Sequence, residues 1–153
     1  MGVGPWDAGA PSRSMNAAAV WVLGVYSVPA GGKGVDRKVL EGTTQMDVIK
    51  ECRARGTYAF PPGPSMRLTA DLIAYAVTEV PKWNPINICS YHLQEAGATP
   101  VHEIAFAMSN AIAVLDAVRE RVDEALMGTV FSRISFFVNA GVRFVEEMCK
   151  MRA

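Results

Sequence analysis

The sequence predicts an α/β fold built from parallel βα units, and three observations predict it. Short apolar runs that fit buried strands alternate with longer stretches of helical spacing, so strand and helix succeed each other along the chain. One run, Ile86 to Ser90, reads as a buried strand that ends in Tyr91-His92 and passes through small residues into a long helix. Polar residues at the carboxyl end of a buried parallel strand are where α/β barrels keep their chemistry. The third observation is length. The 153 residues hold roughly four to five units at about 30 residues each, whereas a closed eight-unit barrel takes about 250. The chain is therefore half a barrel or another arrangement of the same units.

The elements follow in order. Residues 1–13 are rich in Gly, Pro and Ala without a period and read as an irregular lead-in. Residues 16–28 fit a mostly buried helix, and Gly31-Gly32-Lys33-Gly34 breaks the pattern. Residues 35–43 lead into a short strand that ends at Thr43-Thr44-Gln45, with a helix over 46–54 after it. Gly56 to Phe60 reads as a short extended piece stopped by Pro61-Pro62-Gly63-Pro64. Ser65 is then a candidate cap for a helix over 66–79, where Met66, Leu68, Leu72, Ile73, Ala76, Val77 and Val80 keep helical spacing until Pro81. A strand over 85–90 and a helix over 99–120 follow. In that helix Ile104, Ala105, Met108, Ile112, Leu115 and Val118 mark the expected apolar face. Val130 to Val138 supplies a last strand and 141–151 a last helix.

A formal charge of zero offers nucleic acid no electrostatic footprint. Cys52, Cys89 and Cys149 are odd in number and lack ligand spacing, which fits a reduced, cytoplasmic protein. Arg13, the apolar run 17–28 and Pro29-Ala30-Gly31-Gly32 have the outline of a secretory signal, but the same pattern fits a barrel helix and no disulfide framework follows. The run is also too short to span a membrane. Gly31-Gly32-Lys33-Gly34 fails as a phosphate loop because Gly, not Ser or Thr, follows the lysine. His92 and His102 each have a glutamate nearby, yet no set of three or four ligands forms, so no metal site is expected.

Taken alone, several side chains could carry chemistry or be merely structural. His92 at a strand end is a general acid–base candidate, though such a histidine more often serves structure. Thr43, Thr44 and Gln45 offer hydroxyl and amide donors, or simply a helix cap. Arg55, Lys82 and Arg133 read as surface charges, and Tyr91 as core.

The wording Ile88-Cys89-Ser90-Tyr91-His92-Leu93-Gln94 and the run from Ile134 to Ala153 change that weighting. They resemble the adenosylcobalamin-dependent acyl-CoA mutases, the methylmalonyl-CoA mutase family, and in particular the substrate-binding barrel of the large subunit. The wording is nearest to the ethylmalonyl-CoA branch, since methylmalonyl relatives usually carry Ser-Gly-Tyr-His at the first place. The resemblance runs from about residue 14 to residue 153. It implies a partial TIM (β/α)8 barrel of roughly four to five βα units over 14–153, with no cobalamin-binding domain, because the Asp-x-His-x-x-Gly motif that supplies the lower cobalt ligand does not occur. Ser14-Met15 runs straight into Asn16 where the family usually reads Ser-Met-Thr-Ile-Asn, and 29–39 and 119–132 are reworded.

By the same resemblance, His92 hydrogen-bonds the thioester carbonyl of the substrate, where charge gathers as the carbon skeleton rearranges. Thr43, Thr44 and Gln45 contact the acyl group and pantetheine. Arg55 holds the substrate carboxylate, as a planar guanidinium can with two bonds. Lys82, Arg133, Ile134 and Ser135 contact the nucleotide end of coenzyme A, and Tyr91 packs against the cofactor or the acyl chain. The implied reaction is a radical 1,2-rearrangement of a dicarboxylic acyl-CoA, ethylmalonyl-CoA to methylsuccinyl-CoA first, with methylmalonyl-CoA or isobutyryl-CoA mutase as alternatives. The isolated chain is expected to be inactive. A different class of reading is a non-catalytic acyl-CoA-binding or assembly module, with a partner chain or self-association completing the barrel, since a half barrel leaves strand edges unpaired. Another is a remnant without function.

Overall fold

The structure, a computed structural model, describes residues 12–13 and 16–153. The lead-in before Ser12 and the shortened Ser14-Met15 step lie outside the described residues. The elements run β1 (Ser12–Arg13), α1 (Ala19–Gly32), β2 (Gly42–Thr44), α2 (Val48–Lys50), α3 (Pro62–Glu79), β3 (Trp83–Asn84), β4 (Ile86–Cys89), α4 (Tyr91–Glu95), α5 (Pro100–Arg119), α6 (Met127–Ser132), β5 (Ile134–Phe137) and α7 (Phe144–Arg152). Strands and groups of helices succeed each other along the chain, except that β4 follows β3 directly, and every pairing among the described residues is parallel. β1 pairs β2 (Ser12 with Thr43) and β2 pairs β3 (Thr43 with Asn84). β4 pairs β5 over Ile86–Ile134 to Cys89–Phe137. Pro85 separates β3 from β4 and cannot donate to a ladder. The order β1-β2-β3 and β4-β5 follows the chain.

Two apolar clusters share α3. One face of α3 (Ala70, Ile73, Val77) packs on Ile86 and Ile88 of β4, on Ala107, Ala111, Val114 and Val118 of α5, and on Val130. Its other side (Leu72, with Val80 after it) joins Ala19 and Leu23 of α1, Leu40, Met46, Val48 and Trp83. A helix of 18 residues with buried positions recurring every three or four therefore ties both halves of the chain together.

Several boundaries differ from expectation for identifiable reasons. α1 runs through Gly31-Gly32, and the chain turns after Gly34, whose φ is +76°. The short strand expected to end at Thr43-Thr44-Gln45 forms over Gly42–Thr44, with a 3-10 turn at Arg37–Val39 in the approach to it. Gly56 to Phe60 forms no strand. α3 starts at Pro62, where the fixed φ and missing N–H of proline suit a first turn. Ser65 lies inside that helix and donates its hydroxyl to the Phe60 carbonyl (2.9 Å) instead of capping it. The last strand is shorter than 130–138, because Met127–Ser132 coils to bury Val130 under the α3–α5 cluster.

α5 carries the clearest correction. Its buried side is Glu103, Ala107, Asn110, Ala111, Val114 and Val118, not the row of Ile104, Ala105, Met108, Ile112 and Leu115. Ile112 is 59% exposed and Met108 is 44% exposed. The inward face holds a glutamate and an asparagine, so hydropathy pointed about one residue's rotation away from it. α5 is also long and apolar enough to cross a membrane by composition, but its inner stripe is the wall of the core.

Candidate functional site

The strands end in two buried polar clusters. The first begins at β2. Asp47 follows Gln45 by two residues and caps α2, accepting the Lys50 N–H at Oδ1 (3.2 Å). The same carboxylate accepts the Cys89 N–H at Oδ2 (2.9 Å) and the Asn110 amide at Oδ1 (2.7 Å). One side chain thus joins the carboxyl ends of β2 and β4 to the middle of α5. Burial drives its pKa above the ordinary aspartate value, and the three hydrogen bonds oppose that rise only in part.

Beyond Lys50 the backbone widens into a π-helical turn, Glu51–Arg55, closed by Gly56 in the left-handed region at φ +63°. Such widened turns are frequent at functional sites. Glu51 accepts from Lys50 Nζ (2.9 Å), from Asn16 Nδ2 (2.7 Å) and from the Thr57 hydroxyl. Burial pushes its carboxyl up, but those donors and the Lys50 and Arg55 charges outweigh it and hold it below the usual range. Arg55 ends the turn, half-exposed, with its guanidinium 3.7 Å from Glu51.

His92 sits in α4, immediately past the end of β4. Its Nδ1 is buried and has no hydrogen-bond partner among the described residues. Burial, then the positive charges of Lys50 and Arg55, lower its pKa, so the imidazole is held neutral. Tyr91 lies against it with ring centroids 3.7 Å apart and meets Phe137 edge-on at 5.0 Å. His92, Gln45 and Arg55 therefore gather around one buried lysine. Beside them a cavity of about 500 Å3 opens between α2, α4 and α5, lined by Asp47, Lys50, Cys89, Ser90, Leu93 and Asn110. Burial raises the Cys89 thiol to about 11, which leaves it an unreactive wall residue.

The other expected site residues divide. Thr44 is fully buried, accepts from the Trp83 indole (3.2 Å) and donates to the Pro85 carbonyl (2.9 Å), so its hydroxyl is spent on the fold. Thr43 is half-buried on β2. Lys82 precedes β3 and pairs with Glu41 at 3.0 Å. Arg133 and Ile134 sit at the start of β5, where the Ser135 hydroxyl accepts from Asn87 Nδ2 (2.9 Å). Lys82 and Arg133 to Ser135 thus lie at the amino ends of the strands, opposite His92, Gln45 and Arg55. Asn16, Asp47 and Lys50 were not singled out from the sequence; an Asp-x-x-Lys step directly after a strand is an available signal for a capped, inward-turned helix start.

The second cluster is the end of β4 clasped to α7. Glu103, fully buried on α5, accepts from the Ser90 hydroxyl (2.9 Å), the Asn139 N–H (2.9 Å) and Lys150 Nζ (3.0 Å). Lys150 also meets Gln94 Oε1 (3.3 Å) and Glu147.

Among the described residues no group of three or more His, Cys, Asp and Glu could hold a metal ion. Tyr91, the expected cofactor contact, is half-buried against Phe137.

Comparison with known proteins brings these observations together. The family model described as methylmalonyl-CoA mutase matches residues 5–153. An ethylmalonyl-CoA mutase of Methylorubrum extorquens is 60% identical over 144 residues, covering 93% of this chain and 21% of that protein. An ethylmalonyl-CoA mutase of Cereibacter sphaeroides is 54% identical over 142 residues, 93% of this chain and 22% of that protein. A methylmalonyl-CoA mutase of Rhizobium meliloti is 42% identical over 150 residues, 97% of this chain and 21% of that protein. The chain spans about a fifth of the length of these relatives.

Proposed function

The chain belongs to the methylmalonyl-CoA mutase family, and from that premise we propose that residues 14–153 are part of a substrate-binding TIM (β/α)8 barrel that holds a dicarboxylic acyl-CoA. The chain-ordered, all-parallel strands favour a segment of a singly wound barrel over a doubly wound sheet, whose order reverses. The substrate we propose is ethylmalonyl-CoA, rearranged to methylsuccinyl-CoA, with methylmalonyl-CoA as the alternative acyl group. The protein is then an isomerase of the cytoplasm with no nucleic-acid or membrane partner.

The observation that carries this reading is the separation of the polar residues to the two ends of the strands. Residues 83–89, seven in number, extend about 23 Å at the rise of a strand. One end presents His92, Gln45 and Arg55, and the other Lys82, Arg133 and Ser135. An elongated ligand with an acyl thioester at one end and phosphates at the other meets suitable groups at both.

In this reading Arg55 grips the free carboxylate. Gln45 and His92 reach the thioester oxygen, where a neutral imidazole donates its N–H to the oxygen on which charge gathers. Thr43 flanks the acyl group. Lys82, Arg133, Ile134 and Ser135 receive the nucleotide end, and Lys82 leaves Glu41 to do so. Adenosylcobalamin, when bound, supplies the organic radical that starts the rearrangement, and Tyr91 would face it. A second reading has its own support: Phe136 and Phe137 on β5, whose outer edge pairs with no other strand among the described residues, and Phe144 and Val145 on α7 are exposed apolar side chains. They favour completion of the sheet by a partner chain or a second copy.

Calorimetry tests the first reading. The chain is expected to bind ethylmalonyl-CoA, and Arg55→Gln to weaken that binding at least about ten-fold while leaving butyryl-CoA, which lacks the second carboxylate, unchanged. Equal loss for both ligands would remove Arg55 from the carboxylate.

A further inference from the structure

We infer that Lys50 and Asn16 are positioning residues that fix the side-chain amide of Gln45 with its oxygen inward and its NH2 outward, so that position 45 offers a ligand a donor and never an acceptor. The inference deepens the acyl-CoA reading and rests on it.

The argument starts from a group whose role is fixed. The backbone N–H of Asp47 can only donate, and it donates to the Asn16 side-chain oxygen (3.0 Å). That contact settles which way the Asn16 amide points. Its NH2 then faces the opposite direction, toward Glu51 Oε1 (2.7 Å) and Gln45 Oε1 (3.3 Å). Lys50 is the second fixed group, since an ammonium has donors only. Its Nζ lies 2.9 Å from Glu51 Oε1 and 3.5 Å from Gln45 Oε1.

The Gln45 Oε1 thus faces two donor heads, both of which also bond to Glu51 Oε1. Turned over, its NH2 would stand against an ammonium and another NH2, with three sets of hydrogens and no lone pair among them. Neither neighbour can swing away to relieve this. The Lys50 side chain is 1% exposed and Asn16 is 8% exposed. Glu51 keeps the lysine in place by taking its charge. The Gln45 Nε2 meanwhile bonds to no described side chain and is absent from the buried atoms that lack a partner, so it is open to a ligand.

The chemical consequence is selectivity for an acceptor. An acyl thioester oxygen or a carboxylate oxygen satisfies the outward NH2, whereas a group that offers a hydrogen to that position leaves two donors facing each other. The orientation of one amide is thereby set from a backbone N–H two hydrogen bonds away.

The test is a double-mutant cycle on ethylmalonyl-CoA affinity, measured by calorimetry on the whole chain. Gln45→Ala and Lys50→Met are each expected to weaken binding about ten-fold, and Lys50→Met to add nothing once Gln45 is gone. A loss of the same size from Lys50→Met in both backgrounds would show a general structural role and overturn the inference. Gln45→Glu supplies a check that survives if Lys50→Met fails to fold. Its inner oxygen keeps both donors, so the melting temperature is expected to hold or rise, while the outer oxygen replaces the donor and binding falls at least about ten-fold. Binding by Gln45→Glu equal to that of the unmodified chain would overturn the inference. If Gln45→Ala leaves affinity unchanged, or the unmodified chain binds no ethylmalonyl-CoA, the acyl-CoA reading itself fails and this inference falls with it.

Discussion

The two buried polar clusters are built from similar parts and end differently. Around Glu103 and Lys150 the charges are consumed inside: the carboxylate takes a hydroxyl, a backbone N–H and an ammonium, and the ammonium takes two carboxylates and an amide oxygen. Around Asp47 and Lys50 the bookkeeping is left open. Asp47 and Glu51 absorb the inward donors, but the Gln45 Nε2 bonds to no described side chain, the Arg55 guanidinium stays half-exposed beside Glu51, and the buried His92 Nδ1 has no partner among the described residues. A closed cluster can only hold elements together. An open one holds elements together and also presents groups to something outside, which is the property a binding site needs.

That difference can be broken most severely at the closed cluster. Glu103→Ala removes one carboxylate partner of a buried ammonium and leaves the Asn139 N–H unsatisfied, while the Ser90 hydroxyl keeps only its longer bond to the Phe137 carbonyl (3.3 Å). The expected cost is about 3–5 kcal/mol in urea unfolding. The sign with pH follows from the same contacts. The Glu147 carboxyl is held below its usual range, first by the hydrogen bond from Lys150, so its contribution is present above the ordinary carboxylate range and fades as pH falls through the lowered value. Burial pulls the Lys150 pKa down, but its hydrogen bonds to Glu147 and Glu103 outweigh that and raise it, so that contribution is present below the ordinary lysine value and fades as pH rises through the raised one. Stability held by this clasp should thus be flat across neutral pH and decline at both extremes; a decline between pH 6 and 8 in wild type that Glu103→Ala abolishes would contradict it.

Asp47→Ala sharpens the comparison with a smaller expected loss, about 2–3 kcal/mol, for removing a carboxylate that satisfies three buried donors. The distinguishing result is functional. Asp47→Ala should weaken ethylmalonyl-CoA binding beyond what lost folding explains, measured at a temperature where the variant stays folded. Glu103→Ala under the same criterion should bind as the unmodified chain does. If both variants lose affinity alike, the contrast between open and closed clusters does not hold.

What the sequence made legible follows from how local each feature is. The β4 strand and the long helix α5 are legible because Ile86, Ile88 and Thr99-Pro100 are signals within a few residues, whereas the strand ends at Cys89 and His92 lies in the short helix α4, which the expected strand through Tyr91-His92 did not include. Thr99 does cap α5, accepting the His102 N–H at 3.3 Å. The start of α3 was misread because Ser65 is a good cap residue by type, while the prolines before it had already fixed the helical φ. The Asp47 cluster was invisible for a different reason. Its members are separated by 31 residues between Asn16 and Asp47, 42 between Asp47 and Cys89, and 63 between Asp47 and Asn110, and no window along the chain contains them together. The family resemblance points to Gln45 and Arg55, but not to Asn16, Asp47 and Lys50 packed behind them.

The α5 faces provide the smallest and sharpest test, because the same kind of substitution should act oppositely one residue apart. Ala111 lies in the α3–α5 cluster at 7% exposure, while Ile112 next to it is 59% exposed. Ala111→Glu places a carboxylate in an apolar contact without a partner, an expected cost of several kcal/mol. Ile112→Glu should change stability by no more than about 0.5 kcal/mol, because the removed side chain contributes little buried area. Hydropathy alone places Ile112 inside and predicts the reverse weighting for it. The reason it fails is that Glu103 and Asn110 point inward on this helix, each held by a charge or an amide at a strand end. A helix that anchors polar clusters must give up core positions to polar residues, and its exposed side then carries apolar residues without being the side that folds. A large loss from Ile112→Glu would mean that this outer face is buried in solution, which would move the observation from the packing of α5 to the surface that completes the sheet.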